Sequence, residues 1–248
     1  MRRRSVRLPF TAILLALGGC ALNAAGPAAD RAAASATPAP CTDWGRRGPL
    51  IYRDDFSGPL TGYVAEYAAK PGNVVANRDG RLLIDVDGGA TVWLDRPLSG
   101  DYLITYTRRV VVDGGKNDRL SDLNHFWMAR DPQRGPLFTR SGKFEDYDDL
   151  DLYYVGVGGN TNSTTRLRRY GGGRRVLLGE FKDQAHLLEA NRDYAIEIAV
   201  YKGCTRMRVD GREWFSYRDP HPLTGGYFGL RTTWSRQTVD DLEIYQLK

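Results

Sequence analysis

The sequence is short of the residues that build metal centres. It holds 3 cysteines and 3 histidines in 248 residues, with no close spacing among them, so it carries no zinc signature. It also lacks a long apolar run: the longest, residues 10–17, falls short of the ~20 residues that span a bilayer. Sustained helical periodicity is scarce, which argues against helical bundles and parallel α/β folds. No repeat of propeller or solenoid period occurs. The Gly-, Asn- and Thr-rich stretch at residues 156–165 has no helix after it on which a phosphate could sit. Charge of one sign is missing too. The formal net charge of +5 rests on residues 1–19, which hold four arginines and no acids; the rest has 31 basic against 30 acidic residues. Nothing global therefore points to nucleic acid or to an anionic membrane surface.

What is present at the start is an export pattern. Arg2, Arg3, Arg4 and Arg7 precede the apolar residues 10–17, a basic flank and short core that suit a cleaved signal. Leu17-Gly18-Gly19-Cys20 resembles a lipobox, which implies cleavage before Cys20 and lipidation of its sulfur. Ordinary cleavage nearby, after Ala25, is the alternative and would leave a soluble periplasmic protein. Several acyl chains anchor firmly where one would be marginal. Ala21 after the lipidated cysteine points, by analogy with sorting habits, to the outer membrane of the cell envelope, with retention in the inner membrane as the alternative. Residues 20–40 have almost nothing large to bury and are expected to be a disordered tether. Residues 41–248, about 208 residues, fit one domain. With Cys20 claimed by lipid, Cys41 and Cys204 remain. Outside the cytoplasm they can form a disulfide, and two buried free thiols are the alternative.

Within that domain, alternation is the dominant pattern. Leu82, Ile84 and Val86 alternate with Leu83 and Asp85; Tyr102, Ile104 and Tyr106 with Leu103 and Thr105; Ile196, Ile198 and Val200 with Glu197 and Ala199. Asp210-Gly211 between two β-rich runs is a type I′ hairpin signal. Phe228, Leu230 and Thr232 mark one late strand and Leu242 and Ile244 a closing one; residues 183–188 read as a short helical turn. Many strands separated by Gly and Pro turns predict an all-β chain, a two-sheet antiparallel β-sandwich of the jelly-roll type.

A family resemblance agrees. Tyr52-Arg53-Asp54-Asp55-Phe56-Ser57-Gly58 and Val239-Asp240-Asp241-Leu242-Glu243-Ile244-Tyr245 resemble the first and last strands of concanavalin A-like jelly rolls, among them lectins, carbohydrate-binding modules, polysaccharide lyases and hydrolases. Residues 124–236 resemble more closely an uncharacterised family of secreted bacterial proteins, a domain of unknown function. Its blocks here are Tyr153-Tyr154-Val155-Gly156-Val157-Gly158-Gly159-Asn160 with Thr164-Thr165-Arg166, and Gly226-Tyr227-Phe228-Gly229-Leu230-Arg231-Thr232-Thr233-Trp234-Ser235-Arg236. The resemblance implies a jelly roll and a polysaccharide setting, and brings no catalytic residues.

Candidate site residues follow from which row of each strand faces outward. Leu150, Leu152 and Tyr154 alternate with Asp149, Asp151 and Tyr153; if the leucines are core, both carboxylates and Tyr153 face the ligand. Positions i and i+2 lie ~6.5–7 Å apart along a strand, near the lower end of inverting glycosidase spacing. Family-sixteen glucanases carry Glu-x-Asp-x-x-Glu on such a strand, and Asp149-x-Asp151-x-Tyr153 lacks both glutamates. A solvated acidic strand or a cation site is the alternative. Arg166, Arg168 and Tyr170 share a face, and paired guanidinium groups suit a carboxylate-bearing sugar; a solvated basic strand is the bland reading. Asn124, His125 and Trp127, with Asn160 in the loop and Arg231, Trp234 and Arg236 near the end, complete the set. His125 alone is more often structural, and Trp234 is more often core.

Three readings remain open. A polysaccharide lyase acting by β-elimination on a uronate glycan would use Arg166, Arg168 and Arg231 with Asn124 or Asn160 on the carboxylate, and His125 with Tyr153 or Tyr170 for proton transfer. A glycoside hydrolase would use Asp149 or Asp151 with Glu145 or another acid. A noncatalytic surface glycan-binding protein would use the aromatics and amides alone. The expected partner is an acidic polysaccharide or oligosaccharide, with no nucleic acid and with membrane contact through the lipid only. No cofactor is expected; Asp54, Asp55, Asp240 and Asp241 suit a structural Ca²⁺ or simply a soluble edge.

Overall fold

The computed structural model describes residues 40–133, 135 and 137–248. The expected signal, the expected lipidation site Cys20 and all of the expected tether but Pro40 lie outside the described residues. Alternating apolar and polar residues build the strands in this span. In chain order they are β1 (Arg47–Asp54), β2 (Tyr63–Tyr67), β3 (Val74–Arg78), β4 (Arg81–Leu94), β5 (Leu98–Ser99), β6 (Tyr102–Val111) and β7 (Leu123–Arg130). There follow β8 (Asp151–Gly158), β9 (Thr164–Gly171), β10 (Arg174–Phe181), β11 (Asp193–Tyr201), β12 (Cys204–Val209), β13 (Arg212–Arg218) and β14 (Gly225–Leu247). The expected helical turn is a single 3-10 turn, Gln184–His186. Asp210 and Gly211 have φ of 50° and 75°, the positive values a type I′ hairpin needs.

Hydrogen-bonded neighbours run β10-β9-β8-β7-β14-β6-β11-β12-β13, with β4 also on β14. Two long strands serve both layers. The first half of β14 pairs with β7 and the end of β4; its second half pairs with β6, the start of β4 and β1. The layers enclose one apolar core, in which Ile104, Ile196 and Ile198 of one meet Trp127, Val155 and Leu230 of the other. This is the two-sheet antiparallel jelly roll that the alternation predicts.

β14 reads in the sequence as two strands because its phase slips twice. Phe228, Leu230 and Thr232 are buried, then Ser235, Gln237 and Val239, then Leu242 and Ile244. The register shifts between Thr233 and Ser235 and again between Asp240 and Glu243, where Trp234 (φ 43°) and Asp241 (φ 51°) are left-handed. Each inserted residue moves the period-two pattern by one position. Cys41 and Cys204 form a disulfide with Cα atoms 5.9 Å apart, pinning the domain's start to the start of β12.

A second apolar cluster lies on the outer face of the β7–β8–β9 layer. Trp93, Phe126, Leu152, Tyr154 and Tyr170 are covered there by Leu137, Tyr147 and Leu150 from the connection between β7 and β8. Buried Glu66 secures this cover, accepting from Trp93 Nε1 (2.7 Å), Tyr147 Oη (2.9 Å) and the Arg140 amide (2.6 Å). Three donors on one carboxylate offset its removal from water.

Candidate functional site

The cover leaves one end of that outer face open. There a pocket of about 480 Å³ is floored by β7, β8 and β9 and walled by loops. Strand register sets its floor: Arg166 stands opposite Gly156, Gly156 opposite Asn124, and Arg168 opposite Tyr154. Gly156 is needed because Tyr154 folds over it. A Cβ at Gly156 would sit 2.0 Å from Tyr154 Oη and 2.8 Å from Asn124 Oδ1. The phenol and the amide oxygen thus converge on one point. Asn124 Oδ1 is buried with no partner among the described residues. Burial, more than the neighbouring Tyr170, raises the Tyr154 pKa, so its hydroxyl stays protonated at neutral pH.

Most charges around the pocket are already paired. Arg166 Nε donates to Glu180 at 2.5 Å, Arg175 pairs with Asp148 at 2.5 Å, and Arg119 pairs with Asp122. Arg168 differs: its guanidinium lies 5.7 Å over the Tyr154 ring and meets no carboxylate among the described residues. Among the described residues, Arg168 is therefore the lining cation free to take an anionic group. At the edge, Arg119 holds the carbonyl of Trp234 (2.9 Å) and lies 5.6 Å over its ring, leaving the indole 51% exposed. The β8–β9 turn closes another side. Asn160, Thr161 and Asn162 are all left-handed (φ 53°, 58° and 55°), an arrangement costly for a β-branched threonine and one that clusters at binding sites. The Asn160 amide donates to Thr164 Oγ1 at 3.2 Å, which fixes the turn.

The structure therefore gathers Asn124, Asn160, Arg166 and Arg168 around one pocket, with Trp234 beside it. Other expected residues stand elsewhere. His125 and Trp127 do share a face, but it is the one between the layers. His125 is fully buried against Tyr106, and Trp127 Nε1 donates to Thr205 at 2.7 Å. Burial, with Arg108 adding to it, pushes the His125 pKa well below its usual value. Tyr153 also faces inward, donating to Asp219 at 2.6 Å. Tyr170 is sealed in the outer cluster, its pKa raised to about 12 by burial. Asp149 pairs with Arg140 (3.1 Å) and Asp151 with Arg130 (2.9 Å), and neither lines the pocket. Arg231 is buried beneath the cover, donating to the Gly142 carbonyl at 2.8 Å, and Arg236 is bound to Asp118 at 2.7 Å. Among the described residues no three His, Cys, Asp or Glu gather to hold a metal; of the aspartates suited to Ca²⁺, Asp54 accepts from the Phe56 amide at 2.7 Å and Asp240 pairs with Arg81 at 3.4 Å.

Sequence reasoning gave no site role to Tyr154, Gly156, Arg119 and Asp122, all of which line the pocket beside Glu145, the acid named for hydrolysis. A glycine inside a strand marks a close approach, so Gly156 was the available signal.

Comparison with solved structures agrees on the fold. A protein of unknown function with a galectin-like fold from Bacillus subtilis superposes with a TM-score of 0.68 at 17% identity, covering 82% of this chain and 98% of that one. The carbohydrate-binding module CBM66 from Bacillus subtilis gives 0.53 at 12%, covering 75% and 96%. An endo-β-1,3-glucanase from Pyrococcus furiosus gives 0.57 at 10%, covering 80% and 94%. No curated protein matches this chain. Residues 84–242 match the family described as Domain of unknown function (DUF6250), and the chain belongs to that family.

Proposed function

We propose that this chain binds an acidic saccharide in the pocket over Gly156. The observation that carries this reading is Arg168, a pocket guanidinium without an acidic partner among the described residues, standing opposite Tyr154 while Tyr154 Oη and Asn124 Oδ1 converge beside it. Guanidinium binds a carboxylate through two parallel hydrogen bonds, the phenol and amide suit sugar hydroxyls, and exposed Trp234 offers a stacking face. The carbohydrate-binding module and the glucanase of similar fold lend further support. The test is to titrate the purified chain with pectic, alginate, glycosaminoglycan and glucuronate-bearing polymers, following tryptophan fluorescence. Saturable binding that Arg168→Ala weakens is expected, and neutral glucans binding as well as uronates would sink the proposal.

One observation favours a second reading, β-elimination. Tyr154 stays protonated in the same pocket as Arg168 and Asn124, so it can donate to a departing glycosidic oxygen. Arg168 would neutralise the uronate carboxylate, and Glu145 would take the proton from the adjacent carbon. The C–O bond then breaks as the ring double bond forms. Ultraviolet absorbance of the unsaturated uronate separates lyase from binder. New reducing ends without that absorbance would favour hydrolysis.

The basic start, short apolar run and Leu17-Gly18-Gly19-Cys20 further support display at the cell envelope, in the outer membrane, on a lipidated Cys20. Labelling with radioactive palmitate that Cys20→Ala abolishes is the expected result.

A further inference from the structure

We infer that the pocket takes the end of a glycan chain and excludes its interior. The inference rests on the saccharide reading and concerns the path a chain would follow across the strands. A cross-strand row runs Arg166, Gly156, Asn124, Arg231, Thr91 from β9 to β4. Its first three members floor the pocket. The fourth, Arg231, is wholly buried, with Phe144 and Tyr147 lying 4.9 and 5.2 Å from its guanidinium. A sugar advancing along this row meets those rings after Asn124.

The neighbouring row is closed as well. Thr233, on the pocket wall, stands opposite Gly89 of β4. Gly142 lies flat on Gly89, so close that a Cβ there would stand 2.0 Å from the Gly142 carbonyl oxygen. Both rows therefore stop at the segment that crosses β4 and β14. That segment is held from beneath by Arg231 Nη1 on the Gly142 carbonyl (2.8 Å) and by Tyr147 on Glu66 (2.9 Å). The turn at Gly159–Asn162 closes the pocket at the strand ends.

The opposite direction is open. Arg168 is followed across the sheet by Leu177 of β10, an edge strand, and Leu177 is 51% exposed. A chain can leave the pocket over Arg168 and Leu177 but cannot continue past Asn124 and Thr233. A groove open at one end seats a terminal sugar, its carboxylate on Arg168, and has no room for an internal residue carrying chain on both sides.

The experiment uses the full-length chain and counts sites per polymer. Polygalacturonate and alginate, both linear, are titrated at equal mass, whole and after limited hydrolysis. For a chain-end site, halving the mean length doubles the protein bound at saturation, and a bulky amine coupled to the recognised end abolishes binding. Saturation that stays constant per mass of sugar after hydrolysis overturns end recognition while leaving saccharide binding intact. Failure of every polymer to bind, whole or trimmed, overturns the saccharide reading together with this one.

Discussion

Arg108 reaches from β6 through the core and donates to the main-chain oxygen of Asn124 at 2.6 Å, so one layer of the sandwich holds the pocket floor of the other. Its second branch donates to the Arg231 carbonyl at 2.8 Å. No carboxylate pairs with it among the described residues, and burial lowers its pKa to about 10, which leaves it cationic at neutral pH. Replacing it strands two buried carbonyls. Arg108→Met should therefore cost about 1–3 kcal/mol of stability, measured by urea unfolding, and should also weaken saccharide binding by releasing Asn124. Unchanged binding in a folded variant would show that Arg108 is structural only.

Arg168 makes the opposite prediction. With no ion pair to lose among the described residues, Arg168→Ala should leave the unfolding free energy within about 0.5 kcal/mol of the parent. Affinity for a uronate ligand should fall by about 1.5–3 kcal/mol, the worth of a hydrogen bond to a charged group. Arg168→Lys should recover only part of that, because an ammonium cannot form the bidentate fork.

Gly156→Ala tests the convergence over the floor. The new methyl needs the space of the Tyr154 hydroxyl, 2.0 Å away, and overpacking of this kind costs about 1–3 kcal/mol. Tyr154→Phe in the same background should relieve only part of the clash, since the ring carbon Cζ stays 2.6 Å from the methyl, and so recover part of the lost stability while leaving binding impaired. Failure of that double variant to recover would place the strain elsewhere.

His125 sets an acid limit on stability. Its folded pKa lies well below the usual 6.5, so in acid the unfolded chain binds a proton that the folded chain refuses. Stability contributed by the neutral buried ring is present above pH 6.5 and is lost as pH falls below it. The loss approaches about 1.4 kcal/mol per pH unit for one histidine. His125→Gln should flatten that part of the stability–pH curve, even if its baseline stability is lower. Parallel curves for the two proteins would contradict the buried neutral state.

Reduction offers the fifth check. The Cys41–Cys204 link spans 163 residues, and opening so long a loop should cost about 2–5 kcal/mol. The expected result is a lower urea midpoint in reducing buffer, matched by a Cys41→Ser, Cys204→Ser double variant.

Much of this molecule was determined by sequence alone. Period-two alternation specifies the strands, Asp210-Gly211 specifies a hairpin, and the shared row of Arg166 and Arg168 follows from strand geometry in any fold. Alternation separates two rows but cannot say which is inside when both are apolar. That ambiguity arises at β7 and β8, where Leu152 and Phe126 lie under the cover and Trp127, Tyr153 and Val155 lie between the layers. The connection between β7 and β8 created the second buried face, and so only the tertiary structure sent His125 and Tyr153 inward and left Tyr154 in the pocket. The bulge at Trp234 is likewise a tertiary matter: one inserted residue reverses the phase of β14 and turns an indole that would otherwise belong to a regular strand out beside the site.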